Sequence, residues 1–305
     1  MESTTARSRG ARDAASEFRL GGDRPVNRIG FGAMRLPRDG WDGPPRDPET
    51  GRAVLRRVVE LGVNHIDTAE FYRSGDGAVR ANSLIREALY PYASGLVIAT
   101  KVGPVFGPNG LSPAAAPELR ALVEANLKSL DLDRLDLVYL RIGVMTPPHG
   151  ESIAERFEAL AALREEGLIR HLGLSNVDAN HLAQARAIAP VAAVQNYFHI
   201  ARQGDAALLH ACAASGIAFA PFGPMGSSRS NLNNARLAKV AARHGATVSQ
   251  IALAWLLTLS PVTLAIPGTG SLAHLEENVA AGSITLGPDD LADLGRARGR
   301  QSDQH

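Results

Sequence analysis

Short apolar runs alternate with longer stretches of helical periodicity along almost the whole chain. Val54, Leu55, Val58, Val59 and Leu61 share one face of a first helix, with Thr50 as its candidate N-cap. The strand Val63–Asp67 follows. The same alternation recurs: helix around Leu84, Ile85, Ala88 and Leu89, strand Leu96–Lys101, helix around Leu119, Leu122, Val123, Leu127 and Leu130, strand Leu135–Leu140. It continues with helix Ile153, Phe157, Leu160 and Leu163, strand Ile169–Leu174, helix Leu182, Ala185 and Ile188, and strand Val191–Val194. A helix with Leu208, Leu209 and Cys212, strand Ile217–Ala220, helical runs Leu237–His244 and Val248–Leu259, strand Val262–Ile266 and a helix with Leu272, Leu275 and Val279 complete it. A first strand, Ile29–Met34, precedes them all. Strands this short and apolar, each followed by a helix, predict an α/β fold with parallel strands closed into a (β/α)8 TIM barrel.

The remaining stretches lack that periodicity. Residues 1–16 are Ser, Thr, Ala and Arg and read as a disordered tail. Gly21-Gly22-Asp23 is a turn between Glu17–Leu20 and Val26–Arg28, which predicts a small hairpin. The stretch Val102–Pro117 reads as a long Gly/Pro-rich loop, and residues 299–305 as a polar tail. One barrel domain, 17–298, accounts for the rest.

Composition narrows the function. The chain has 305 residues and a net charge of +1, so charge offers no case for nucleic acid or an anionic membrane as partner. No run approaches the roughly 20 apolar residues of a membrane span. The N-terminus lacks the apolar core of a secretory signal, so a cytoplasmic protein is expected. The one cysteine, Cys212, lies on an apolar helix face and reads as a core thiol; it excludes an internal disulfide and a multi-cysteine metal site. No metal-protease, P-loop or serine-elbow motif is present. Gly30-Phe31-Gly32 imitates a dinucleotide-binding loop, but Arg35 stands at the third glycine and no helix follows.

Polar residues end the apolar strands: Asp67, Lys101, Arg141, Asn176, Gln195 and, as an aromatic, Phe222. In a parallel barrel these ends converge on one face, where active sites sit. Tyr72 follows Asp67 by a short loop. A tyrosine with its ordinary pKa of about 10 is a weak acid, and a neighbouring ammonium favours its ionised form. Lysine beside tyrosine, with aspartate behind the lysine, is a candidate acid–base site.

From the Gly-Phe-Gly-Ala-Met-Arg-Leu stretch to Leu275-Glu276-Glu277-Asn278, the chain resembles the aldo-keto reductases. The resemblance implies a barrel whose bottom is closed by the N-terminal hairpin. It also implies reduction of an aldehyde or ketone by hydride from NADPH, with NADH possible. Tyr72 would be proton donor, Lys101 would tune it and Asp67 would position Lys101. Where the family usually has a histidine, this chain has Arg141. Three roles are open to Arg141: donor to the substrate carbonyl, fork for a substrate carboxylate or phosphate, or partner of an acidic residue. The resemblance further implies cofactor contacts from Gly32, Ala33 and Met34, a carboxamide clamp of Ser175, Asn176 and Gln195, and Phe222 stacked on the nicotinamide. Gly223, Met225, Gly226, Ser227 and Ser228 would lie over the pyrophosphate. Glu277 and Asn278 would meet the adenine. Gly268 and His274 stand where some members carry lysine and arginine for the 2′-phosphate; Thr269, Gly270 and Ser271, with the N-terminus of the helix that follows, are left to wrap it. Trp41, Phe71, Phe106 and Tyr197 are candidates to line the substrate pocket. Two alternatives remain: a cofactor-binding regulatory subunit, as in the potassium-channel β subunits of this family, and a specialised C=C or C=N reductase shaped by Arg141. His65 and His171, within strands, read as structural.

Overall fold

The computed structural model describes residues 17–39, 43–107, 110–143, 150–226 and 234–295. Its strands are β1 (Glu17–Leu20), β2 (Arg24–Asn27), β3 (Phe31–Gly32), β4 (His65–Asp67), β5 (Val97–Val102), β6 (Pro104–Gly107), β7 (Gly110–Pro113), β8 (Leu135–Arg141), β9 (Ile169–Ser175), β10 (Val191–Gln195) and β11 (Ala218–Phe219). The α-helices are α1 (Pro48–Glu60), α2 (Ala81–Leu89), α3 (Leu119–Leu130), α4 (Ala154–Glu165), α5 (Ala179–Ile188), α6 (Ala206–Ala214), α7 (Ala235–His244), α8 (Val248–Leu259), α9 (Leu272–Ala280) and α10 (Pro288–Gly295). Among the described residues no helix is long and apolar enough to cross a membrane.

Seven strands form one parallel sheet in the order β11-β10-β9-β8-β5-β4-β3. The segment expected as a further strand, 262–266, makes single bridges instead, between Thr263 and Phe219 and between Ala265 and Ile29. Leu264 N–H donates to the Phe219 carbonyl and Gly30 N–H to the Ala265 carbonyl, both at 2.8 Å. The segment thus touches both edges of the sheet. Pro261 and Pro267 bracket it and supply no N–H for a longer ladder.

Alternation along the strands separates two cores. Ile66, Ile98, Val138 and Leu172 face the helices, in a cluster that includes Val54, Leu84, Val123 and Phe157. Val97, Ala99, Leu137, Tyr139, Ala193 and Ala218 face inward, with Leu20 and Val26 of the hairpin in the same cluster. Period two therefore puts Lys101 on the inner face with Val97 and Ala99, and Arg141 with Leu137 and Tyr139. The hairpin is fastened to β9 by Asp23, which pairs with Arg170 at 2.7 Å and His171 at 2.6 Å.

Two local expectations are corrected. Thr50 does not cap α1: Asp47 does, accepting from Glu49 N–H and Thr50 N–H, with Pro48 as first helical residue. Pro48 has no N–H to leave unpaired, which favours a start there. The stretch Val102–Pro117 is not all loop, because β6 and β7 pair in it as an antiparallel hairpin from Pro104↔Pro113 to Gly107↔Gly110. Cys212 is buried, and burial pushes its thiol up to about 12, as suits a core residue.

Candidate active site

β4 and β5 lie side by side, so Asp67 and Lys101 emerge next to each other. Lys101 Nζ donates to Asp67 Oδ1 at 2.6 Å and to the Thr68 carbonyl at 3.0 Å, with Lys101 only 2% exposed and Asp67 4%. Burial alone would push the Lys101 ammonium down. The Asp67 carboxylate and the Tyr72 side chain outweigh it and hold Lys101 above its ordinary value. Its Nζ stands 4.9 Å from the centre of the Tyr72 ring, which is half-buried. Phe71 meets Tyr72 edge-on at 5.2 Å. The second oxygen of Asp67 accepts from Gln195 Nε2 at 2.7 Å, from β10 across the interior.

A buried amide network anchors the strand ends from behind. Thr68 Oγ1 donates to Asn82 Oδ1 at 2.8 Å, and Thr100 Oγ1 to Asn126 Oδ1 at 2.6 Å. Asn82 Nδ2 joins the two halves through Asn126 Oδ1 at 3.1 Å. The chain neighbours of Asp67 and Lys101 are thereby tied to α2 and α3. This network escaped the motif reading, yet a signal exists. Asn126 sits in the stripe Leu119, Val123, Leu130 of α3, where an apolar residue is expected.

Arg141 ends β8 beside Ser175 of β9, and its Nη1 donates to Ser175 Oγ at 3.1 Å. Its guanidinium lies 4.8 Å from the centre of the Phe222 ring. Burial pushes Arg141 below its ordinary value, while Tyr72 and Asp67 pull the other way. Asn176 adopts a left-handed backbone, φ +62°, and its Nδ2 donates to the Ile142 carbonyl at 2.7 Å. That leaves its Oδ1 as the acceptor for a carboxamide. Tyr197 stacks on Phe222 at 5.5 Å, over Gly223, where a Cβ would come within 2.6 Å of the Tyr197 ring.

The other expected residues fall into two groups. Gly32 and Gly268 abut each other: a Cβ on Gly268 would lie 2.4 Å from the Gly32 carbonyl oxygen. Both are needed where the segment after Ile266 meets β3, beside Ala33 and Met34 in a turn of 3-10 helix. Met225 packs on the outer core, and Gly226 closes a turn onto the Gly223 carbonyl at 2.8 Å. Thr269 Oγ1 accepts from Ser271 N–H, and Ser271 caps α9 at His274 N–H. Glu277 is half-buried and Asn278 buried on α9. Trp41, Ser227 and Ser228 lie outside the described residues, as does the side chain of Phe106.

Motif reading also passed over Arg46. Its guanidinium covers Gly270, where a Cβ would stand 2.7 Å from Arg46 Cζ, at the turn leading into α9. Arg46 Nη2 pairs with Asp39 at 2.7 Å, whereas its buried Nε has no hydrogen-bond partner. A largely buried turn of small residues gains here a cation and an unsatisfied donor.

Comparison with known proteins agrees with this architecture. The family model described as "Aldo/keto reductase family" matches residues 28–298. Pyridoxine 4-dehydrogenase of Escherichia coli (strain K12) is 46% identical over 286 residues, covering 92% of this chain and 98% of that protein. An uncharacterized oxidoreductase of Schizosaccharomyces pombe is 43% identical over 277 residues, covering 90% of this chain and 87% of its own. The crystal structure of an aldo/keto reductase from Klebsiella pneumoniae in complex with NADP and acetate superposes with a TM-score of 0.76 at 26% identity, covering 95% and 98% of the two chains. The chain belongs to the aldo/keto reductase family, and with it to the NAD(P)H-dependent oxidoreductases.

Proposed function

We propose that this aldo/keto reductase is an NADPH-dependent reductase of aldehydes, with pyridoxal the substrate and pyridoxine the product. The observation that carries the chemistry is the buried ammonium of Lys101, held between Asp67 Oδ1 at 2.6 Å and the Tyr72 ring at 4.9 Å. The substrate follows from the 46% identity to a pyridoxine 4-dehydrogenase along 98% of that protein.

The donor set fits the cofactor. Ser175 and the free oxygen of Asn176 offer a hydroxyl and an acceptor at the end of β9 for a carboxamide. Phe222 offers an aromatic face, and Gly223 and Gly226, both at positive φ, make the close turn beside it. At the far end Arg46 and the N-terminus of α9 offer positive charge to a 2′-phosphate where Gly268 and His274 replace two basic residues. Glu277 and Asn278 flank the adenine in this reading. When bound, the nicotinamide would supply the hydride that the carbonyl carbon takes up.

The chain's own residues manage the proton. The Tyr72 hydroxyl donates to the carbonyl oxygen as charge develops there, and its proton passes to that oxygen. Lys101 stabilises the phenolate left behind, which regains a proton from solvent. Asp67 keeps Lys101 protonated, because a buried ammonium without a counter-charge sheds its proton. Arg141, close enough to feel Tyr72 and Asp67, orients the carbonyl from the β8 side. A pyridoxal ring also carries a hydroxyl next to its aldehyde, and a planar guanidinium suits two neighbouring oxygens. Phe71 and Tyr197 line the approach.

The experiment follows NADPH absorbance with pyridoxal and with a panel of other aldehydes and ketones, then NADP reduction with pyridoxine. Turnover led by the pyridoxal–pyridoxine pair is expected. Tight NADPH binding with no turnover on any carbonyl would instead make the chain a cofactor-binding accessory protein.

A further inference from the structure

The first turn of α2 holds the loop that carries Tyr72. Ala81 N–H donates to the Tyr72 carbonyl at 2.9 Å. The next residue, Asn82, is 1% exposed and does not cap its own helix, whose N-cap is Arg80. Its Oδ1 accepts from Thr68 Oγ1 at 2.8 Å. Its Nδ2 donates to Glu70 Oε2 at 3.2 Å, to Asn126 Oδ1 at 3.1 Å and to Ser129 Oγ at 2.9 Å. A carboxylate only accepts, so the amide nitrogen faces Glu70 and the amide oxygen faces Thr68. Glu70 is also paired with Arg80 at 2.8 Å. Residues 68, 70 and 72 of one loop are thus each tied to the start of one helix.

The same amide reaches the strand of Lys101. Asn126 Nδ2 is spent on the Leu122 carbonyl of its own helix at 2.8 Å, which leaves Oδ1 for Asn82 and for Thr100 Oγ1. Thr100 stands next to Lys101 on β5. Thr68 joins the two systems from the other side: its hydroxyl is held by Asn82, and its carbonyl accepts from Lys101 Nζ at 3.0 Å. A leucine at 82 would serve packing alone. A buried polar network in which every member has its partners rigidifies what it joins. Here it joins the loop of the proton donor to the lysine beside it.

We propose that Asn82 is a positioning residue for the proton donor: its one buried amide sets the Tyr72 loop against the Lys101 ammonium, by holding Thr68 and Glu70 on α2 and, through Asn126, the Lys101 strand on α3. This rests on Tyr72 as the acid. It adds that acid and lysine are aligned by the helices behind them as well as by strand pairing. A merely structural amide governs how much of the enzyme folds. A positioning amide also governs how fast the folded enzyme turns over, and at what pH.

The test uses full-length Asn82→Leu, Thr68→Val and the double variant, each assayed well below its unfolding temperature and counted as folded enzyme by circular dichroism. For the best carbonyl of the panel kcat is followed against pH, and NADPH affinity is read by fluorescence. Asn82→Leu is expected to lower kcat about ten- to hundredfold, as a displacement of up to about 1 Å does, and to leave the NADPH Kd within about twofold. The basic limb of kcat against pH should move upward, because a phenolate farther from the ammonium is harder to form. Thr68→Val keeps the shape and drops the hydroxyl, and should lower kcat about three- to tenfold, the size of one hydrogen bond. The double variant should be no worse than Asn82→Leu alone, since the hydroxyl has no amide left to act through. Folded Asn82→Leu with wild-type kcat and an unmoved limb, losses that multiply, or a change confined to NADPH affinity would overturn the inference. Should Asn82→Leu not fold, Thr68→Val must lower kcat and move the limb by itself, and its failure to do so counts equally against the inference. Failure of the underlying reading looks different: turnover would then survive Tyr72→Phe.

Discussion

Lys101 and Asp67 meet at 2.6 Å across the neighbouring strands β5 and β4, and both are almost wholly withdrawn from water. Such a pair is a weak source of stability while intact, yet removing one partner strands a buried charge. Lys101→Met is therefore expected to destabilise the fold by about 3–5 kcal/mol in denaturant titration. It should also lower kcat by about 10²–10⁴-fold, the range of general acid–base effects. Adding Asp67→Asn removes the stranded charge, so the double variant should regain stability without regaining activity. A double variant as unstable as Lys101→Met would contradict this.

His65 lies on β4 two residues before Asp67, fully buried, with neither ring nitrogen hydrogen-bonded. Burial first, then the Lys101 charge against the opposing Asp67, lowers its pKa from 6.5 to about 4. Between those values the unfolded chain binds the proton and the native one does not. The stability is therefore complete above about pH 6.5 and is lost as pH falls toward about 4, by about 3 kcal/mol at most. His65→Leu should flatten the acid side of a plot of unfolding free energy against pH, and an unchanged slope would count against the assignment.

Arg141 lies over Phe222 and donates to Ser175. Removing a charged hydrogen bond to substrate weakens the transition state by about 1.5–3 kcal/mol. Arg141→Ala should thus lower kcat/KM for pyridoxal by about 10–150-fold. Arg141→Lys should not restore it, because a lysine keeps the charge and loses both the plane and the fork. Full activity in Arg141→Lys would show that charge alone suffices.

Arg46 over Gly270 makes cofactor choice testable without turnover. Loss of one charge-assisted contact to the 2′-phosphate is about tenfold in affinity. Arg46→Ala should raise the NADPH Kd by about that factor and leave the NADH Kd unchanged. Equal weakening of both would place Arg46 outside the phosphate site.

Much of the fold was legible because strands buried on both faces are short apolar runs, as at Val97–Ala99 and Leu135–Leu140. The last expected strand, 262–266, pairs with both edges of the sheet, but only through single bridges between two prolines. The β6–β7 hairpin lay hidden in a Gly/Pro-rich stretch whose turn chemistry resembles a loop. That Asp67, Tyr72 and Lys101 come together was legible because they stand at or just after the ends of strands. The bond from Gln195 to Asp67 and the seat of Arg46 on Gly270 were not, since each joins residues that no local pattern relates. Asn126 was readable in principle, as an amide in an apolar helical stripe.

The proposed proton donor in reduction of pyridoxal is Tyr72, set by Lys101 and Asp67. It is tested most directly by single-turnover oxidation of bound NADPH with pyridoxal in wild type and Tyr72→Phe. Unchanged NADPH binding and a rate reduced by at least about 10²-fold in the variant are expected. A Tyr72→Phe enzyme that oxidises NADPH at the wild-type rate would contradict it.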